Sequence, residues 1–405
     1  MTNSEKIRLL IVTDTCWPSI GGIENAILTL AANLPDHINC SIITQRPSVN
    51  VKTLFNYYMS VTQEPQKDPS GHQITSLKVS FIQRLILLPL LLWNFPGLKR
   101  CIPAPTLYDL LYLFYKKAFY SVVERSIITA NVVHSFSTGW LSRLAAEICK
   151  VTHIPIIHSP AIHFGRWGDS PAQLRAYTSG NATICFTDVM KKQLISKVDS
   201  SRHDRFFTIP PVIPATDNTT DPRLIEGPYI LFLGRREKHK GLNLLTDAFK
   251  AIDTTVKLVI AGPGERFSDT DEISIIDLGS VSEKDKVSLL SHMELFVLPT
   301  TDESFGIVFT EAMSYGKPVV AIDIAPVNEI VRNGITGILV PQSDSDLLAK
   351  SLIKLLSDKG LQRSMGDQAR EIFKTHYAPS VVIPKIVAVY EKCINENGHF
   401  HQPRI

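Results

Sequence analysis

The feature that most constrains this chain is an alternation, present in both halves, of short apolar runs with longer amphipathic ones. In the first half, residues 8–13, 40–44, 132–135, 155–158 and 183–186 are rich in β-branched and leucine side chains and read as strands, with helix-length segments such as 25–34 between them. A parallel strand pair needs a crossover long enough to hold a helix, so this alternation predicts a parallel sheet covered by helices. In the second half residues 229–233, 257–261, 294–298 and 318–322 repeat the pattern, with 242–251 as a helix. A second doubly wound α/β sheet follows by the same logic.

A chain of 405 residues with 44% hydrophobic content is long enough for two such cores. Between the halves runs Pro210-Pro211-Val212-Ile213-Pro214, followed by polar residues to Pro222, a stretch poor in anything that builds a core. The expected organisation is a first domain at 1–214, a linker at 215–226, a second domain at 227–379, and a final helix with its tail at 380–405. No solenoid period, coiled-coil run or low-complexity tract competes with this two-sheet reading.

Charge excludes one class of partner. The 42 basic and 39 acidic residues nearly cancel, and a net charge of +3 gives no electrostatic case for nucleic acid. Six scattered cysteines without a C-x-x-C pair form neither a zinc pattern nor a secreted disulfide framework, and fit a reducing compartment. The first residues run straight into a strand-like segment with no secretory signal, so a cytoplasmic location is expected and the sequons at Asn181 and Asn218 read as chance. The apolar run at 85–93 is too short to span a bilayer, for which roughly 20 residues are needed. With Arg84 before it and Lys99 and Arg100 after it, the run reads either as a segment packed on the core or as a contact with an anionic membrane at the inner face of the cell membrane.

Three segments carry chemistry. The first is Glu303-Ser304-Phe305-Gly306-Ile307-Val308-Phe309-Thr310-Glu311, two glutamates separated by seven residues, placed after a strand that ends near Pro299. Gly306 permits a tight turn, and the helix that opens there offers backbone N–H groups and a positive dipole end to a phosphate. Glu303 would lie beside whatever that phosphate carries. Glu311, about two turns in, could accept hydrogen bonds from ligand hydroxyls, since each carboxylate takes two donors at once. The plainer reading leaves Glu303 as a charge that favours the helix start and Glu311 as a solvated residue.

The second segment, Gly234-Arg235-Arg236-Glu237-Lys238-His239-Lys240-Gly241, follows the first strand of the second half. Cations at the carboxyl edge of a doubly wound sheet point to where such folds bind ligands, and a guanidinium with an ammonium can neutralise a diphosphate. Arg235 and Lys240 are the candidates, against the reading of a basic surface loop. The third segment, Trp17-Pro18-Ser19-Ile20-Gly21-Gly22-Ile23-Glu24, follows the first strand, and its paired glycines allow close backbone approach to a ligand. It is neither G-x-G-x-x-G nor a P-loop.

In their order these motifs resemble the retaining family-4 glycosyltransferases of the GT-B fold, whose signature is E-x7-E. The likeness extends to Leu258-Val259-Ile260-Ala261-Gly262-Pro263-Gly264, Leu278-Gly279-Ser280-Val281, Phe296-Val297-Leu298-Pro299, and Glu329 through Gly337. The resemblance implies two Rossmann-like doubly wound domains facing a cleft. It implies a nucleotide diphosphate sugar as donor, a saccharide or lipid-linked acceptor on the first domain, and no metal or other cofactor. It assigns Arg235 and Lys240 to the diphosphate, Glu311 to the ribose, and the Val281 backbone to the base. Glu303, Phe305, Gly306 and Ile307 would hold the transferred sugar, and Gly22 would face the phosphates from the other domain.

In such enzymes the departing phosphate helps to deprotonate the acceptor, so no protein nucleophile is sought. His163, with His158 as the alternative register, matches the family's first-domain histidine, and His134 its strand-end histidine. A loop histidine without a role is the plainer reading of His163. His153, His158 and His163 recur every five residues, which places them on one face of neither a strand nor a helix and argues against a metal site. The chain departs from the family's pattern at Ile209-Pro210-Pro211-Val212, where Pro-Asn-Gly-Val-Asp is frequent. The final helix at 380–395 resembles one that returns to the first domain. Competing expectations are a nucleotide-sugar 2-epimerase-like enzyme and a non-catalytic nucleotide-sugar-binding protein.

Overall fold

A computed structural model of the chain describes residues 6–17, 21–46, 66–77, 104–197, 200–214, 222–266, 274–341 and 344–398. The chain divides into two compact units, one of residues 1–209 with 383–405 and the other of residues 210–382. The apolar run at 85–93 and most of the proline-rich linker lie outside the described residues.

The first unit is built on an eight-stranded sheet in the order β3-β4-β2-β1-β5-β6-β7-β8. Its strands are β1 (Ile7–Thr15), β2 (Ile38–Arg46), β3 (Gln66–Lys67), β4 (Gln73–Ser76), β5 (Val132–Ser135), β6 (Ile156–His158), β7 (Ala182–Cys185) and β8 (Phe206–Thr208). Every pairing is parallel except β3 with β4. The described helices are α1 (Gly22–Ala32), α2 (Ala104–Ile128), α3 (Trp140–Thr152), α4 (Pro171–Ser179) and α5 (Asp188–Ile195). The α3 helix buries Leu141, Leu144, Ala145 and Ile148 on one stripe, the spacing its sequence requires. Ser170 opens α4 with a capping box to Gln173, followed by Pro171, so start signals and observed start coincide.

The second unit carries a six-stranded, all-parallel sheet in the order β11-β10-β9-β12-β13-β14. Its strands are β9 (Tyr229–Leu233), β10 (Lys257–Ala261), β11 (Ile275–Gly279), β12 (Leu295–Leu298), β13 (Val319–Ile322) and β14 (Gly337–Val340). The described helices are α6 (Leu242–Lys250), α7 (Glu283–His292), α8 (Ile307–Ser314), α9 (Val327–Ile330), α10 (Ser345–Ser357), α11 (Lys359–Ile372) and α12 (Pro379–Glu396), of which residues from 383 onward belong to the first unit. The central strands β9, β12 and β13 are buried along their whole length, as a sheet covered on both faces demands. Numbered within the unit, this is the 3-2-1-4-5-6 order, whose direction of progression reverses between β9 and β12.

The sequence pattern locates the central strands to within a residue or two but passes over five others. The strands β3, β4 and β8 are short, and β3 and β4 are polar at the sheet edge. The edge strand β11 has three consecutive half-exposed residues between buried ends, and β14 is a four-residue edge strand.

Candidate functional site

In α/β sheets of this order ligands bind beyond the carboxyl ends of the strands, where the order reverses. In the second unit two loops meet there, one after β9 and one after β12. The β9 loop passes through a short 3₁₀ turn at Lys238–Lys240 and ends at Gly241. Gly241 has φ +73, and a Cβ at that position would lie 2.1 Å from the Pro299 carbonyl, so only glycine lets the two loops approach this closely. His239 supplies its carbonyl to the Thr301 backbone N–H at 2.8 Å and to the Thr300 hydroxyl at 3.1 Å, which ties the loops together.

Across this junction Lys240 donates through Nζ to Glu303 Oε1, and both side chains are about nine-tenths buried. A buried ammonium is tolerable only with such a partner. The chain then turns at Gly306, where φ is +88, and enters α8 with no side chain capping its start. Phe305 is buried, with its ring edge-on to Tyr377 at 6.1 Å, so its side chain belongs to the core and what it can offer a ligand is its backbone. The start of α8 at Ile307 places Glu311 little more than one turn into the helix rather than the two turns expected. The turn at Gly306 takes up the intervening residues.

The sequence-selected residues are arranged unequally. Lys240, Glu303, Gly306 and Ile307 are gathered at the junction. Glu311 accepts at 3.0 Å from Lys286 Nζ on α7, which also donates to Glu283 Oε2 at 2.8 Å. Burial lowers the Lys286 pKa, but the two carboxylates outweigh it and hold the ammonium above its ordinary range. Arg235 is 60% exposed and pairs at 2.8 Å with Glu237 Oε1. Val281 is half-buried between β11 and α7.

Arg236, next to Arg235 in the chain and passed over from the sequence, turns inward. It makes a two-pronged, buried pair with Asp277 of β11. It also donates from Nη1 to the Glu265 carbonyl at 3.2 Å and from its backbone N–H to the Pro263 carbonyl at 3.0 Å, linking the ends of β9, β10 and β11. An arginine doublet leaving a buried strand signals that one guanidinium faces outward and one inward, but not which partner the inward one takes. Lys286 gives no signal of its own, since its pairing with Glu311 depends on the packing of α7 beside α8.

In the first unit the order reverses between β1 and β5. Asp14, near the end of β1, fills that point. Its Oδ1 accepts from the Ser137 hydroxyl at 2.6 Å, and its Oδ2 from the backbone N–H groups of Thr138 at 2.9 Å and Gly139 at 3.0 Å, at the start of α3. Gly22 is the first residue of α1, and the Thr15 hydroxyl donates to Glu24 in its first turn.

The histidines separate clearly. His158, in β6, is fully buried, has Ser142 Oγ at 3.2 Å from Nδ1, and is pushed down by burial to a pKa of about 3. His134, in β5, is equally buried, lies 2.7 Å from both the Tyr390 hydroxyl and Ser159 Oγ, and is driven to about 3 by burial and then by neighbouring His158. His163 lies in the loop before α4, where it forms a backbone bridge with Trp167 and stacks on its ring at 4.9 Å. Among the described residues no group of three or more His, Cys, Asp or Glu side chains could hold a metal ion, and no helix is long and apolar enough to cross a membrane.

Comparison with known proteins gives this geometry a context. Residues 222–372 match the glycosyl transferases of group 1. An uncharacterized glycosyltransferase of Methanocaldococcus jannaschii is 28% identical over 278 residues, covering 65% of this chain and 75% of its own. The phosphatidyl-myo-inositol mannosyltransferase of Mycobacterium leprae is 36% identical over 180 residues, covering 42% of this chain and 47% of that protein. Apart from the archaeal protein, the chain spans about half the length of the curated relatives it matches. Among solved structures, Anabaena HepE in complex with UDP and glucose superposes with a TM-score of 0.68 at 15% identity, over 95% of this chain and 99% of that one. A sucrose-phosphate synthase from Thermosynechococcus elongatus gives 0.67 at 15% identity, over 96% and 100%. At these identities the likeness is one of fold, and the fold is the two-sheet α/β architecture expected from the sequence.

Proposed function

Since residues 222–372 belong to the glycosyl transferases of group 1, we propose that this chain transfers a hexosyl group, with retention, from a nucleotide diphosphate sugar to a saccharide or lipid-linked acceptor in polysaccharide or glycolipid synthesis. The observation that carries the reading is the buried Lys240–Glu303 pair beside the start of α8, at the reversal point of the second sheet. A cation, a helix N-terminus and a carboxylate in one place suit a sugar diphosphate, with the first two for the phosphates and the third for the sugar's hydroxyls.

In this reading Lys240, Arg235 and the backbone at Gly306 and Ile307 stabilise charge on the departing nucleoside diphosphate as the bond from the anomeric carbon to phosphate oxygen breaks. The acceptor hydroxyl bonds to the same face of the sugar and passes its proton to the leaving phosphate oxygen. Glu303 and the Phe305 backbone hold the hexose, Glu311 the ribose, and the Val281 backbone the base. The first unit supplies the acceptor site, to which Gly22 and His163 are assigned. His158, the alternative register, has a fully buried ring engaged by Ser142 Oγ. Contact of residues 85–93 with an anionic membrane completes the proposal and is tested by sedimentation with anionic liposomes; unchanged binding after Leu87→Ser and Leu91→Ser would remove it.

The test of the main reading is a thermal-shift screen of UDP- and GDP-sugars, followed by detection of nucleoside diphosphate release with saccharide acceptors. A donor at about a hundred times its Kd should stabilise the fold by about 2.7 kcal/mol. A flat response to every donor, or an equal response from Lys240→Met, would overturn it.

A further inference from the structure

The pairing of Glu311 poses a question that the donor site leaves open. A carboxylate that is to accept two ribose hydroxyls must hold one orientation before the ligand arrives, because a freely rotating side chain loses entropy on binding. Glu311 is held from outside its own helix. Lys286 Nζ stands 3.0 Å from its Oε1 and 2.8 Å from Glu283 Oε2, with the Lys286 and Glu311 side chains only 15% and 12% exposed. Glu283 is the first residue of α7, and Val281 lies two residues before it.

We propose that Lys286 is a positioning residue for the nucleoside, fixing the Glu311 carboxylate so that its other oxygen and remaining lone pairs face the ribose hydroxyls. This rests on the donor-site reading above. The residue acts through Glu311 and does not itself touch the nucleotide. Two consequences follow from its place on α7. The segment leading into that helix carries the backbone at Val281 assigned to the base, so base and ribose contacts are set by one rigid element. Lys286 also offsets the negative charge of Glu311, which would otherwise oppose a diphosphate nearby.

A plain structural ion pair between α7 and α8 would stabilise the fold without caring which hydroxyls the ligand carries, and the experiment is built on that difference. The full chain is titrated calorimetrically with UDP and GDP and with their 2′,3′-dideoxy forms. The wild type should prefer the ribose form of its nucleotide by about tenfold, the size expected for hydrogen bonds to a charged acceptor. Lys286→Met should bind the ribose form as weakly as the dideoxy form, and Lys286→Arg should keep the preference. Glu311→Gln combined with Lys286→Met should be no worse than Lys286→Met alone. If Lys286→Met does not fold, as judged by its melting curve, Lys286→Gln takes its place in the same comparison.

A full ribose preference retained without the Lys286 cation would overturn the inference while leaving the donor site intact. Equal wild-type binding of ribose and dideoxy forms would also overturn it. Failure of the wild type to bind either UDP or GDP would overturn the donor-site reading, and this inference with it.

Discussion

The two units solve the same topological problem with opposite electrostatics. In each, a parallel sheet reverses its order between two central strands, and loops from both strands meet a helix start at that point. In the first unit the anion attracted by that helix start is supplied by the chain itself, since Asp14 accepts from Ser137, Thr138 and Gly139 ahead of α3. In the second unit the residue crossing the junction is a cation, Lys240, and Gly306 gives α8 no side-chain cap. A self-filled helix start anchors a fold, whereas an uncapped one beside a cation can receive a phosphate. The two halves therefore share a scaffold and differ in what stands at its reversal point.

The most severe way to break this contrast is Lys240→Met. It removes the cation proposed for the diphosphate and strands Glu303, so turnover with the true donor should fall about 10²–10³-fold, the range seen when a charge-stabilising donor is lost. Steady-state rates with a melting-curve control decide it; a loss under tenfold would mean the cation is structural only.

Next in size, Asp14→Ala should destabilise the first unit by about 2–3 kcal/mol by orphaning the Thr138 backbone N–H and the Ser137 hydroxyl and leaving the Gly139 N–H with Ser137 Oγ alone at 3.2 Å. Because Trp17, Trp93, Trp140 and Trp167 are the chain's four tryptophans and all precede residue 210, tryptophan fluorescence, excited selectively over tyrosine, follows denaturation of that unit. Added sulfate should recover part of the loss in Asp14→Ala but not in the wild type, since it can occupy the released helix start. If sulfate has no selective effect, the carboxylate is not standing in for an external anion.

Acid should separate the units further. His134 and His158 have folded-state pKa values lowered from 6.5 to about 3, so above pH 6.5 both are neutral whether folded or not and their contribution is complete. Between pH 6.5 and 3 the unfolded chain binds protons that the folded one refuses, and stability should fall by up to about 1.4 kcal/mol per pH unit for each histidine. Fluorescence-detected denaturation at pH 7.5 and 5 measures this, and a histidine-independent slope in His134→Gln would contradict the burial argument.

The smallest effect is expected at Arg235. Its side chain is 60% exposed beside Glu237, so Arg235→Ala should change stability by less than about 0.5 kcal/mol, while weakening donor affinity by about tenfold. Equal affinity in the variant would reassign Arg235 to the solvated surface.

How much of this was legible in the sequence depends on the range over which each signal acts. The buried strands β9, β12 and β13 announce themselves because continuous apolar runs have few other uses. The glycine at 306 and the two glutamates around it mark a turn into a helix by local chemistry alone. What stayed hidden are partnerships across the sheet. Nothing near Arg236 points to Asp277 forty-one positions on, and nothing near Asp14 names Gly139. Glu311 reads as a ligand-facing carboxylate, with a solvated residue as the plainer alternative, and its partner Lys286 goes unseen because it arrives from a different helix. The helix opens just after Gly306, as that glycine leads one to expect, but Ile307 to Glu311 spans little more than one turn, so the two-turn placement of Glu311 is an overcount.

The last helix has an implication for how the chain is made. Its Tyr390 hydroxyl meets the ring of His134 from 256 positions further along the sequence, and residues from 383 onward belong to the unit that began at the other end. Once residue 382 is joined, the middle unit, a contiguous stretch from 210, is complete in sequence while the first still lacks its closing segment. A released chain truncated after residue 382 should thus keep the middle unit protected from proteolysis while the first is cut, the reverse of the order in which the two are begun.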